Sequence, residues 1–310
     1  MVRTLQLVTS RRPFFEQQVE VLERNGVTCT VVPVPGGSRE RSLAEYARFY
    51  ARVLGAARGS DIDLVHANYG LTAPAALAQP VRPVVLSLWG SDLLGRYGTV
   101  SEQCARFADE VVVMSAEMAA ALDRDSTVVP HGIDTDRFAP EPHEAALDAV
   151  GWDGDATHVL FPYDTGRAEK NYPRAERVVE RARDAVEGAL ELHAVSGVPH
   201  EEVPTYMNAA DAMLLTSDRE GSPNAVKEAL SCNLPVVATP VGDVPDLLDG
   251  VDCSAVADTD AALAEALAAA LAPTTEPNGR QRAREFGLER MGEGLLGVYE
   301  RALDGEVSAA

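Results

Sequence analysis

Two carboxylates, Glu220 and Glu228, flank the short run Gly221-Ser-Pro-Asn224. The apolar run Ala212-Met-Leu-Leu215 ahead of them reads as a buried strand, and Ala225–Ser231 reads as a helix. Ser222 fits an N-cap and Pro223 a first-turn proline. A helix start offers backbone N–H groups and the positive end of a dipole, which suits a phosphate. Carboxylates on either side of such a start can accept hydrogen bonds from sugar hydroxyls. The chemistry this invites is the holding of a nucleotide-linked sugar, with Gly221, Ser222, Asn224 and Glu228 as its binding candidates.

Elements to position these groups are legible along the chain. Strands are expected at Thr4–Val8, Thr28–Val32, Leu64–His66, Pro83–Leu88, Glu110–Met114 and Thr127–Val129, with helices at Phe14–Arg24 and Leu43–Ala57. The alternation breaks near Phe138-Ala-Pro-Glu-Pro142, which reads as a link. It restarts with strands at His158–Pro162, Leu190–Ala194, Ala212–Leu215, Pro235–Ala238 and Asp252–Val256. Helices are expected at Arg174–Val186, Glu201–Asn208, Ala225–Ser231, Val244–Leu248 and Asp260–Leu271, then a helical tail over Gly279–Leu303. The reading is α/β, with two doubly wound Rossmann-like domains facing a central cleft: 1–140, then 141–278, with C-terminal helices over 279–310 that pack back on the first domain.

Charge adds constraints. The chain has 310 residues and a net charge of −21. Of its 27 basic residues only Lys170 and Lys227 are lysines, a composition like that of salt-accumulating halophiles. Residues 1–140 hold 14 Arg against 16 acids, a net of −2; residues 141–310 hold 13 basic and 32 acidic residues, a net of −19. A surface this acidic excludes nucleic-acid binding through a general basic face. No apolar run reaches membrane-spanning length, and Met1–Thr9 reads as a strand rather than a signal peptide. Cys29, Cys104, Cys232 and Cys253 lack metal-ligand spacing, which fits free thiols in a reducing cytoplasm.

Taken in order, several segments resemble the GT-B glycosyltransferases of the large retaining family 4. They are Glu220-x7-Glu228 with the following Ala-Leu-Ser-Cys-Asn-Leu-Pro-Val-Val-Ala, then Gly242-Asp-Val-Pro-Asp-Leu247, Val129-Pro-His-Gly-Ile-Asp134, Asp63-Leu-Val-His66 and Trp89-Gly-Ser-Asp92. The resemblance implies that Glu220 lies beside the transferred sugar and Glu228 holds the ribose. It places Arg167 and Lys170 against the donor diphosphate, so that Glu220, Arg167 and Lys170 are the catalytic candidates. It also implies retention without an enzyme nucleophile. An acid pair for double displacement needs carboxylates about 5 Å apart, whereas eight helical steps span about 12 Å. No cofactor is expected, and no Asp-x-Asp in suitable surroundings points to a metal. For Lys170 the bland alternative is a solvated lysine at a helix start.

The chain departs from that family in two loops. Thr9-Ser-Arg-Arg-Pro-Phe-Phe15 stands where many relatives carry a glycine pair, leaving Ser10 and Arg11 as cleft contacts. Trp89 stands where many have histidine; it can stack on a sugar but cannot carry a proton. Asp92 is either the polar group of that loop or a cap for the next helix. His66 either faces the cleft or is a satisfied strand-end histidine. His131 is expected to shape the cleft wall, Gly132 to take a positive φ, and Lys227 to pair with an acid on the helix surface. The stretch Val198-Pro-His-Glu-Glu202 is expected to meet the base through its backbone.

Residues 38–58 carry five arginines, with Arg41, Arg48 and Arg52 expected near one helical face and Leu43, Tyr46, Tyr50, Val53 and Ala57 on another. This is either a packed amphipathic helix with solvated arginines or a surface that touches an anionic membrane peripherally, at the inner face. The expected activity is transfer of a sugar from a nucleotide-sugar donor to a lipid-linked, glycan or small-molecule acceptor. The alternatives are a GT-B sugar-nucleotide epimerase or a non-catalytic nucleotide-sugar-binding protein.

Overall fold

Val84-Val-Leu-Ser-Leu88 is buried at every position. A strand with helices over both faces has that pattern, and such strands run parallel. The computed structural model describes residues 1–36, 41–59, 61–272 and 274–309; Ser38, Arg39 and Glu40 of the arginine-rich segment lie outside them. The chain divides into two compact units, Met1–Gly132 with Leu288–Ala310, and Ile133–Gly287.

In unit 1 the order is β1 (Arg3–Val8), α1 (Pro13–Arg24), β2 (Thr28–Pro33), α2 (Leu43–Gly59), β3 (Leu64–Asn68), α3 (Ala73–Ala78), β4 (Val84–Leu88), α4 (Gly98–Ala105), β5 (Glu110–Val113), α5 (Ala116–Ala120) and β6 (Thr127–Val128). The strands form one parallel sheet in the order β2-β1-β3-β4-β5-β6. Its register pairs Leu5 with Thr30 on one side and Val65 on the other. On α2, Phe49, Val53 and Ala57 are buried at a spacing of four, the stripe an amphipathic helix needs. Arg48 and Arg52 are exposed. Leu43, expected on the packed face, is 90% exposed, because the buried stripe begins a turn and a half later. Arg41 precedes α2 and donates to the Thr9 carbonyl, so it does not share the helix face.

Unit 2 contains α6 (His143–Val150), β7 (Ala156–Phe161), α7 (Tyr172–Ala182), β8 (Ala189–Ala194), α8 (Val203–Asn208), β9 (Ala212–Leu215), α9 (Asn224–Ser231), β10 (Val236–Ala238), α10 (Val244–Leu247), β11 (Ala255–Val256), α11 (Asp260–Leu271) and α12 (Gly279–Ala283). Its parallel sheet has the order β11-β10-β9-β7-β8. The last helix, α13 (Leu288–Ala309), belongs to unit 1, where Met291, Leu295, Val298 and Tyr299 are buried in the core. Both sheets thus change winding direction beside their first strand, at β1/β3 and at β7/β9. In open parallel sheets ligands settle at the carboxyl ends of the strands at that position.

Boundaries differ from those expected. The second unit starts at Ile133, not after a link at Phe138–Pro142. Phe138 is fully buried in the unit 2 core, and Arg280 from α12 donates to its carbonyl at 2.9 Å. The helical tail divides: α12 stays with unit 2, while α13 goes to unit 1. Gly132 is not among the glycines with positive φ; in the tryptophan loop it is Gly90 that has φ +112°. The Gly132 amide instead meets Met291 Sδ at 3.2 Å.

Candidate active site

The carboxyl ends of β7 and β9 carry most of the expected chemistry. After β9, Thr216 Oγ1 donates to the carbonyls of Lys170 (3.2 Å) and Asn171 (3.0 Å), and the Asp218 amide donates to the Glu169 carbonyl at 2.9 Å. The two loops are thereby laced together across the winding reversal. Lys170 Nζ forms an ion pair with Glu220 Oε1, and these side chains are only 5% and 10% exposed. Ser217 Oγ donates to the same carboxylate oxygen at 2.7 Å. The Lys170 ammonium lies 3.9 Å from the centroid of the Tyr163 ring. Burial lowers the pKa of Lys170, and the Glu220 charge opposes that shift. The bland reading of Lys170 as a solvated lysine therefore fails.

Tyr163 organises the cations. The Arg167 guanidinium carbon lies 5.5 Å from the same ring, and Arg167 is exposed and bonded to Glu169 at 2.8 Å. Burial raises the phenol's pKa well above its ordinary value, with the Glu220 and Glu228 carboxylates acting in the same direction. Behind the Glu220 loop, Gly242 has φ +56°, and a Cβ there would come within 2.5 Å of the Gly221 carbonyl oxygen. No larger residue fits without moving the loop that presents Glu220.

Glu228 lies on α9, where its Oε1 is 3.0 Å from His200 Nε2, and its side chain is 12% exposed. His200 sits in the stretch expected to act through its backbone; its side chain in fact reaches the expected ribose carboxylate. The Nδ1 of His200 and the Oδ1 of Asn224 are buried and make no hydrogen bond. Helix α9 begins at Asn224 with Pro223 at the N-cap position, and no side chain caps it. Ser222 is thus not the cap; its hydroxyl lies beside Asp243 without reaching hydrogen-bond geometry. Burial pushes the Asp243 carboxyl up to about 6. Lys227, expected on the helix surface, is fully buried, and burial brings its pKa down to about 8 against the opposing charges of Asp243 and Glu228.

The unit 1 candidates divide by burial. His66 is inside β3, fully buried, with Nδ1 2.7 Å from the Tyr299 hydroxyl and Nε2 2.7 Å from Ser87 Oγ. Burial takes its pKa down to about 3, so it is a satisfied interior histidine. Asp92 is also fully buried, accepting from the Gly70 amide at 2.7 Å and the Trp89 amide at 2.8 Å. It joins two loops and caps no following helix. Burial pushes its carboxyl up to about 6, partly offset by those amides. Arg11 is bound to Glu16 on α1 at 2.7 Å, and Ser10 beside it is half-buried. Trp89, half-buried, meets Phe14 edge-on at 4.9 Å, with Tyr69 at 5.8 Å, and Phe14 stacks on His131 at 4.3 Å. The tryptophan is thus part of an aromatic cluster at the carboxyl ends of unit 1 strands.

Residues missed by sequence reasoning are Tyr163, Ser217 and His200. Ser217 lies between the expected strand Ala212–Leu215 and Glu220, and Tyr163 lies two residues past the end of β7; neither carries a charge that would have drawn notice.

Residues 4–137 match the family described as Glycosyltransferase Family 4, and residues 166–273 match the one described as Glycosyl transferases group 1. The chain belongs to the GT-B group 1/family 4 glycosyltransferases. It is 29% identical over 239 residues to the lipopolysaccharide core biosynthesis mannosyltransferase LpsB of Rhizobium meliloti, covering 63% of this chain and 66% of that one. It spans 55% and 56% of the length of two other curated relatives. Among solved structures, the sucrose-phosphate synthase of Thermosynechococcus elongatus superposes with a TM-score of 0.79 at 16% identity, covering 98% of this chain and 100% of that one. HepE of Anabaena, solved in complex with UDP, gives 0.73 at 16% identity, covering 97% and 100%. At such identities the structural likeness shows the fold.

Proposed function

We propose that this chain transfers a sugar, with retention, from a nucleotide-sugar donor to a lipid-linked, glycan or small-molecule acceptor. The observation that carries the reading is the buried Lys170–Glu220 pair at the β7/β9 winding reversal, with Glu228 on the adjoining α9. HepE structures hold UDP and UDP-glucose, which supports a nucleotide-linked donor here. The LpsB name supports a glycan or lipid acceptor.

In this reading Glu228 and His200 take the ribose, and the start of α9 with Arg167 and Lys170 takes the diphosphate. The bond from the anomeric carbon to the phosphate oxygen breaks, and the nucleoside diphosphate leaves with the electron pair. Charge gained by that leaving group is stabilised by cations and amides already in place, so their effect is largest in the transition state. The acceptor oxygen bonds to the carbon on the same face, and its proton passes to the departing phosphate. Glu220, held by Lys170 and Ser217, orients sugar hydroxyls. The positive charge at the diphosphate comes from the protein, so transfer proceeds without a metal.

The test is a thermal-shift panel of UDP-, GDP- and ADP-linked sugars, since a bound donor raises apparent stability by mass action. The stabilising donor is then incubated with and without acceptor, and the products are resolved. Epimerised sugar without acceptor would establish the epimerase reading instead. Binding with no turnover across lipid, glycan and small-molecule acceptors would favour the non-catalytic one.

A further inference from the structure

Unit 2 holds a second group of reactive side chains that the transfer reaction does not use. His158 on β7 pairs in register with Glu191 on β8, and His193 follows Glu191 by two residues, so all three share one face of the sheet. His158 Nδ1 and His193 Nε2 are 2.9 Å apart. Glu191 Oε2 lies 3.3 Å from His193 Nε2 and 4.0 Å from His158 Nδ1. Among the described residues these form a group whose ligand atoms lie within 4.8 Å of one another.

The environment orients the lone pairs. His158 Nε2 is 2.8 Å from the Asp153 carbonyl oxygen, which can only accept. The proton of the neutral ring is therefore on Nε2, and Nδ1 presents its lone pair to the other two groups. Metal-binding histidines are commonly held by such a second hydrogen bond. Trp152 stacks on the His193 ring at 3.8 Å with an interplanar angle of 13°, limiting its rotation. A tetrahedral ion with bonds of about 2.0–2.2 Å separates its ligand atoms by about 3.3–3.6 Å. The three observed separations bracket that edge. His158 is fully buried, while His193 and Glu191 are 20% and 46% exposed, so an ion and one water can enter from the solvent side.

We propose that His158, Glu191 and His193 bind one divalent transition metal of the zinc class, with solvent in the fourth position. Two imidazoles and one carboxylate favour zinc, nickel or copper over magnesium and calcium. The ion joins β7 to β8, the outer strand of the sheet, so its effect is on stability rather than on the transfer step.

The test uses the untagged full-length protein, stripped by chelator and titrated with zinc by calorimetry. The parent is expected to bind one zinc, to melt at a higher temperature with zinc, and to show no shift with magnesium. Cobalt should give visible absorption bands of a tetrahedral site. His193→Gln and Glu191→Gln alter partly exposed side chains, and circular dichroism checks their folding. Each should weaken zinc binding by at least ~10-fold. No zinc binding by the parent would mean that the histidines only share a hydrogen bond, and equal affinity in both variants would place the ion elsewhere. Either result overturns the proposal.

Discussion

Lys170 and Glu220 reach each other from different strand ends, one after β7 and the other after β9, and bury their opposite charges together. Removing one partner leaves the other charge desolvated. Glu220→Ala should therefore lower stability by ~3 kcal/mol and abolish transfer. The double variant Lys170→Met with Glu220→Gln should recover most of the stability and none of the transfer. Urea unfolding and donor turnover measure the two effects separately, and parent-rate transfer by Glu220→Ala would remove it from the site.

Gly242→Ala places a methyl group against the Gly221 carbonyl at a positive φ. The Glu220 loop must shift, so turnover should fall by about tenfold or more, as expected for a misplacement near 1 Å. Gly250→Ala has a similarly positive φ with no atom within 4 Å, and serves as the control for backbone strain alone. Equal loss of turnover in both variants would show that strain, not displacement, is responsible.

Glu228→Gln keeps the shape of the group that meets His200 and removes its charge. Donor affinity should weaken by about 10-fold, the cost of weakening a charge-assisted hydrogen bond, with kcat nearly unchanged. A UDP titration followed by steady-state kinetics checks this; a fall in kcat alone contradicts a role on the ribose.

His66 makes stability depend on pH in a defined direction. Its folded pKa of about 3 lies below the ordinary 6.5, so the unfolded chain gains a proton that the folded chain refuses. Stability is fully present above pH 6.5 and is lost as pH falls toward 3. From pH 6.5 to 5 this group should contribute a loss of ~2 kcal/mol. His66→Gln should lack that component in denaturant unfolding at the two pH values. An unchanged slope in the variant would assign the dependence to other groups.

Arg48 and Arg52 are exposed on α2, and their replacement by Glu tests peripheral membrane contact. Co-sedimentation with anionic vesicles in low salt should fall several-fold, since surface attraction is about 1 kcal/mol per basic residue. Unchanged sedimentation removes the idea. Metal independence is tested in His193→Gln, so that loss of the proposed zinc site is not confused with catalysis. Transfer lost on chelation and restored by manganese in that variant would contradict it.

All eleven strands were readable; interior ones such as β3, β4 and β9 are buried at every position, which leaves few polar residues to confuse the period, whereas the edge strands β2 and β8 keep exposed residues. Of the short helices, α8 and α10 were expected while α3 and α5 were not, since four to six residues give too little of a 3.6-residue period to decide. Glu220 and Glu228 were legible as carboxylates around a helix start, while Arg167 and Lys170 were drawn from the family resemblance. Their partners were not legible: the Ser217 hydroxyl and the Tyr163 ring acquire meaning only once the loops after β7 and β9 meet. The burial of Lys227 was hidden for another reason. Helical spacing places it between Val226 and Glu228, and neighbours from other elements decide which side is covered.

Tyr299 in the middle of α13 bonds to His66 and Gln6, and Gln6 in turn receives the Asn68 amide. The helix that completes the first unit therefore follows the whole of the second unit in the chain. Unit 2 is continuous in sequence and can finish folding while that helix is still being synthesised. Unit 1, begun first, closes its core last, and a chain cut short after residue 287 would leave the interior polar network of β1 and β3 without its tyrosine. Nascent-chain proteolysis would register this as protection of the second unit ahead of the first.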